Sequence, residues 1–163
     1  MPETQRQPVP RVDDSELDTA LAFLDFARAS VLKKIDGVDD DRLRRPLVET
    51  GTNLLGLVHH LTEGERYWFG HHVAEQEEYR DLAFAMEAPP NASTSEVVAA
   101  YRDAIAASNE AVRSVGLDAR VVRPIDDEFL SVRWVVAHMT SETARHAGHA
   151  DILRELIDGV TGR

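Results

Sequence analysis

Apolar residues recur at steps of three and four through four long stretches of the chain, the spacing that gathers them on one face of an α-helix. Leu17, Leu21, Leu24, Val31 and Ile35 form the first stripe, with Asp13, Asp14 and Ser15 as candidate caps before it and Gly37 as a stop after it. The second stripe predicts a helix from about Thr52 to His72, carrying Leu54, Leu55, Leu57, Val58, Leu61 and Trp68. A third follows Ser93 or Thr94 as cap and carries Val97, Val98, Tyr101, Ile105 and Val112. The fourth begins near Phe129 or Ser131 and runs to Ile157.

Between the stripes the pattern breaks. "DDDRLRRPLVETGT" reads as a linker, since Pro46 rules out a smooth helix through it. "VAEQEEYRDLAFAM", residues 73–86, adds a short helix to the expectation, "EAPPNAST" is a break, and "GLDARVVRPIDD" reads as extended or loop-like. Residues 1–12 read as a flexible arm and 13–160 as one domain. No alternation at period two is long enough for a sheet, and no repeat recurs at a fixed period. The expected architecture is all-α, a four-helix bundle with long connections.

At 163 residues, 43% hydrophobic and 29% charged, the chain is globular in composition. It has no cysteine, hence no thiolate ligand and no cysteine nucleophile. The net charge of -11 argues against a nucleic-acid backbone as partner. No stretch approaches the roughly 18 apolar residues of a membrane span, and the polar start "MPETQRQPVPRVDD" lacks a secretory pattern, so a cytoplasmic protein is expected.

Chemistry enters through the fourth stripe. Val135, Met139, Glu142, His146, His149 or Ala150, Leu153 and Ile157 share one face, so a carboxylate and imidazoles interrupt the core stripe. A buried carboxylate must be protonated, paired or bound to a metal. Glu142 and His146 are four apart, and such a pair can chelate one ion from a single helix face. On the second stripe His60 shares a face with Leu57, Gly56, Gly64 and Tyr67. His60, Glu142 and His146 would form a two-imidazole, one-carboxylate set suited to a catalytic metal, zinc first, with Ni2+ or Fe2+ also compatible. The plainer alternative is a hydrogen-bonded core histidine beside an ion pair of Glu142 with Arg145 or His146.

Other polar residues rank behind these. His149 is a candidate proton carrier and His138 could line the pocket mouth. Glu63 and Glu65 could orient His60, but read better as outward, solvated carboxylates. Asp151 and Arg154 are expected in ion pairs, His71 and His72 as helix-closing residues, and Trp68 and Trp134 as bundle core or interface.

The segments "LAFLDFARASVLKKIDGVDDDRLRRPLVETGTNLLGLVHHLTEGERYWF" and "LSVRWVVAHMTSETARHAGHADILRELIDG" resemble the DinB-like superfamily of metal-binding four-helix bundles, in an actinobacterial-type branch. The resemblance spans about residues 15–160. In that superfamily the second helix supplies one histidine and a later helix usually an HxxxH pair. His60 matches the first ligand, whereas the pair here is Glu142 and His146, and His149 stands where many relatives carry glutamine. A histidine, glutamate and histidine triad is similar to that of mycothiol-dependent maleylpyruvate isomerase.

The resemblance implies a divalent-metal-dependent thiol S-transferase or isomerase using mycothiol or a similar small thiol, working as a homodimer. A chain without cysteine accords with a nucleophile that arrives with its co-substrate. Two other readings stay open at this level: a metal-dependent hydrolase of a small substrate, and a non-catalytic metal-stabilised bundle that binds a small molecule or partner protein.

Overall fold

The computed structural model describes residues 7–161. Four long helices carry the fold: α1 Glu16–Ile35, α3 Leu54–Glu65, α4 Thr94–Val115 and α5 Val132–Asp158, with a short α2 at Asp40–Arg44. Their starts follow capping chemistry. The hydroxyls of Ser15 and Ser131 accept from Asp18 N and Trp134 N, Asn53 accepts from Gly56 N, and Ser93 forms a reciprocal capping box with Glu96. Among the described residues there is no strand, only isolated bridges at Arg120–Ser131 and Ile125–Glu128, so the all-α expectation holds. Among the described residues no helix is long and apolar enough to cross a membrane.

Several connections differ from expectation. The 39–52 stretch is not all linker: Asp39 caps α2, whose Leu43 is fully buried, and the helix ends before Pro46. In 73–86 only one 3-10 turn forms, Glu77–Tyr79, since the chain must turn back onto α3 there. The second helix does reach His71, but its last stretch, Arg66–His71, is wound as a π-helix, with Tyr67 O accepting from His72 N at 3.3 Å. Of the expected arm, residues 1–6 lie outside the described residues, and 7–12 form no regular element.

Helix α1 packs mainly along α5, and α3 along α4 and α5. The core falls into two apolar clusters. One gathers Val31, Ile35, Leu54, Leu57, Tyr101 and Leu153; the other gathers Leu21, Leu24, Phe69, Val112, Val135 and Met139. Along each long helix a polar residue stands between the two, among them Arg28 on α1, Glu65 at the end of α3, Ser108 on α4 and Thr143 on α5. Arg28 holds Glu65 through two bonds, Nε to Oε1 at 2.8 Å and Nη2 to Oε2 at 2.6 Å. Its Nη1 donates to Asp25 and Asn109, both at 2.7 Å. A charge pair at this depth must be fully hydrogen-bonded to be tolerated, and this one is.

At the far end, α5 caps α1. Arg154 Nη1 donates to the carbonyls of Lys34 and Asp36 at 3.0 and 2.7 Å, and Arg154 also pairs with Asp158. Asp151 reaches the buried Lys34 at 2.8 Å, an ion pair between α5 and α1.

Candidate functional site

His60 leaves α3 half-buried, and its Nδ1 lies 3.0 Å from Phe84 O. A carbonyl only accepts, so Nδ1 is the donor, and in the neutral ring Nε2 carries the lone pair. One turn further along α3, Glu63 Oε2 accepts from Ala85 N at 2.8 Å. The two side chains thus grip opposite ends of the Phe84–Ala85 peptide. Phe84 itself sits at φ 53°, a left-handed conformation that a bulky side chain adopts only when its surroundings impose it. The loop lies so close to α3 that a Cβ on Gly56 would meet Met86 O at 2.0 Å, which is why that position is glycine.

From α5, His146 brings its ring to 4.9 Å from that of His60, centroid to centroid. Its Nε2 lies 3.9 Å from Glu142 Oε2, and its Nδ1 faces His149 Nδ1 at 3.4 Å. Burial, then the neighbouring His60 and His149, lower the His146 pKa to about 4, so the ring is neutral at pH 7. Glu142, with 30% of its side chain exposed, also approaches Arg145 Nη2 at 3.3 Å. The intrahelical ion pair of the plainer reading therefore exists, alongside the approach to His146.

His60, Glu142, His146 and His138 all line one cavity of about 420 Å³. Its walls include Tyr67, Trp68 and Phe84, and Met139 closes it toward the core. His138 packs against Trp68 at 4.4 Å and lies nearly parallel to Trp134 at 5.1 Å, and burial lowers its pKa. Trp134 is 40% exposed and stacks on His138 from outside the cavity lining, so it is not part of the bundle core. His149 is exposed and stands behind His146.

The expectation for Glu63 and Glu65 is corrected: both are buried, Glu65 at 1% exposure. The reason is a partner distant in sequence for each, the Ala85 amide for Glu63 and the Arg28 guanidinium for Glu65. Neither orients His60 directly; the Phe84 carbonyl does. His71 and His72 are buried, and His72 Nδ1 donates to Arg123 O at 3.0 Å, tying the helix end to the loop before α5.

Sequence reasoning missed Asp126, which also lines the cavity. It sits in a tight turn where Ile125 and Glu128 exchange backbone bonds and Asp126 and Asp127 have φ of 47° and 67°. The "IDDE" run held that turn signal.

A model of the mycothiol-S-transferase family matches residues 19–159. The chain belongs to that family. No individually curated protein matches it. Membership agrees with the all-α bundle and supports a mycothiol-dependent thiol-transferase or isomerase function.

The donor set at the cavity fits a divalent ion in its chemistry. His60 offers an imidazole with its tautomer fixed by a carbonyl, His146 a neutral imidazole, and Glu142 a carboxylate. Among the described residues no three His, Cys, Asp or Glu side chains are drawn together tightly enough to enclose an ion. Glu142 divides its contacts between Arg145 and His146.

Proposed function

We propose that this member of the mycothiol-S-transferase family transfers or isomerises through a small thiol in the cavity above His60, Glu142 and His146, and that these three residues hold a divalent ion there. The observation that carries the reading is the meeting of His60 from α3 with Glu142 and His146 from α5 on one cavity. Zinc is the first choice on ligand type, with nickel and iron(II) compatible. When bound, such an ion lowers the pKa of a coordinated thiol, which supplies thiolate at neutral pH.

The chain's own groups do the rest. The Phe84 carbonyl holds the His60 ring so that its free nitrogen stays available. His149 stands against Nδ1 of His146 and leaves Nε2 on the Glu142 side. His138, kept neutral at pH 7 by burial, offers a lone pair to the proton that leaves the thiol, and the exposed His149 connects the site to bulk water. Tyr67, Trp68, Phe84 and Met139 keep the thiolate dry. With no cysteine in the chain, the nucleophile comes from the co-substrate.

The test is consumption of mycothiol with an electrophile by the zinc-, nickel- or iron-loaded protein. Thiol-dependent turnover lost in His146→Ala, with the fold intact by circular dichroism, is expected. Turnover of esters or amides without thiol would favour hydrolysis instead. A cytoplasmic homodimer belongs to the same proposal, and light scattering on the eluted protein tests its stoichiometry.

A further inference from the structure

Charge is distributed unevenly around the cavity. Asp126 and Glu142 bring two carboxylates to its wall, and no lysine or arginine stands among the described residues that line it. The imidazoles do not make up the difference, since burial keeps His138 and His146 neutral at pH 7. An arginine stands three residues from each carboxylate, and neither one lines the cavity. Arg123 reaches away to Glu75 at 3.2 Å and Glu77 at 3.7 Å. Arg145 extends to Glu142 with 62% of its side chain exposed. At both His138 and His146 the pull of Glu142 outweighs the push of Arg145.

A carboxylate on an open surface is ordinarily solvated and discriminates against nothing. These two share a recess of about 420 Å³ whose other walls include Leu61, Phe84, Ile125 and Met139. Low-dielectric walls concentrate the field that water would otherwise screen. The backbone also holds Asp126 in place, because Ile125 and Glu128 exchange bonds across its turn at 2.9 and 2.8 Å. The net charge of -11 adds a long-range repulsion of the same sign. Two carboxylates offset the charge of a divalent ion, so the thiolate it supplies leaves the cavity negative again.

We infer that the cavity turns away anionic electrophiles and takes an uncharged or cationic one, with Asp126 as the residue that sets this selection beside Glu142. This deepens the thiol-transfer reading and rests on it. A substrate carrying a carboxylate or phosphate would meet two like charges and no guanidinium or ammonium to receive it. An amide, ester or ketone pays no such penalty.

Collisional quenching reads the selection without metal or turnover. In Trp134→Phe the cavity residue Trp68 is the only tryptophan, and its emission is titrated with iodide, acrylamide and caesium at constant ionic strength. Relative to N-acetyltryptophanamide, iodide should lose about threefold against acrylamide while caesium does not. A merely steric screen would hold back both ions alike. Adding Asp126→Asn should restore about half of the lost iodide quenching, and asparagine accepts the left-handed φ of 47° there. Asp126→Gly serves if that variant does not fold. Mycothiol with iodoacetamide or iodoacetate then carries the selection to the reaction. Sulfur bonds to the methylene carbon, iodide leaves with the bonding pair, and the thiol proton goes to water. With no cysteine in the chain, neither reagent finds a protein thiol. The zinc-loaded protein should accelerate iodoacetamide about tenfold more than iodoacetate, each against its uncatalysed rate. Equal restriction of iodide and caesium, an iodide ratio unmoved in the Asp126 variants, or equal acceleration of the two reagents overturns the inference. Selective quenching with neither reagent accelerated leaves the charge selection standing and overturns the transferase reading.

Discussion

His60 and Glu63, one turn apart on α3, hold the two ends of a single peptide: Nδ1 of His60 donates to Phe84 O at 3.0 Å, and Glu63 Oε2 accepts from Ala85 N at 2.8 Å. The loop and the candidate ligand are therefore fixed by each other. Glu63 touches the site only through the loop, so it is a positioning residue.

Glu63→Gln keeps the size of the side chain but weakens the charge-assisted bond to Ala85 N. Metal affinity should fall by about 10- to 100-fold, the usual effect of losing support for a ligand, while stoichiometry at saturation is kept. Competition with a chromogenic chelator measures it. Unchanged affinity would mean that the loop does not set the His60 orientation.

The Arg28–Glu65 pair joins α1 to the end of α3 between the two apolar clusters. Glu65→Ala leaves a guanidinium with 2% of its side chain exposed and without its main partner, and should cost about 3–5 kcal/mol in urea unfolding. Replacing both by leucine or methionine should cost markedly less, because no buried charge is then stranded. A double variant as unstable as the single one would contradict the packing account.

Acid should destabilise the metal-free protein in a defined window. Burial lowers the pKa values of His72, His138 and His146 from the ordinary 6.5, His146 to about 4. As pH falls, the unfolded chain takes up these protons first. Stability is thus complete above about pH 6.5 and is lost as pH falls toward about 4. Asp18 and Asp39, whose pKa values lie below the carboxylate value of 3.8, contribute their loss only at lower pH. Urea midpoints at pH 7.5, 5.5 and 4.5 should fall in that order, and a flat profile would contradict the burial of these rings.

The long helices were legible because each has an apolar stripe, and Ser15 and Ser93 cap as their positions suggest. His60, Glu142, His146 and His138 were legible as candidates because polar side chains interrupt those stripes, and all four line one cavity. The same signal was present and passed over in α1, where Arg28 falls in register between Leu24 and Val31. Its partner Glu65 lies 37 residues on, too far for local pattern to pair them. The Phe84–Ala85 clamp was not legible at all. It depends on a loop folding back over Gly56, and neither periodicity nor turn chemistry encodes which helix a loop will touch.

The central claim is that His60, Glu142 and His146 hold one divalent ion. Mass-spectrometric metal analysis of protein purified without a metal-binding tag tests it, beside folded His60→Ala and Glu142→Ala variants. The account predicts close to one ion per chain in the wild type and loss of it in both variants. No bound or acquirable ion in the wild type would contradict it, and the three residues would then be a polar network in a bundle that works without metal.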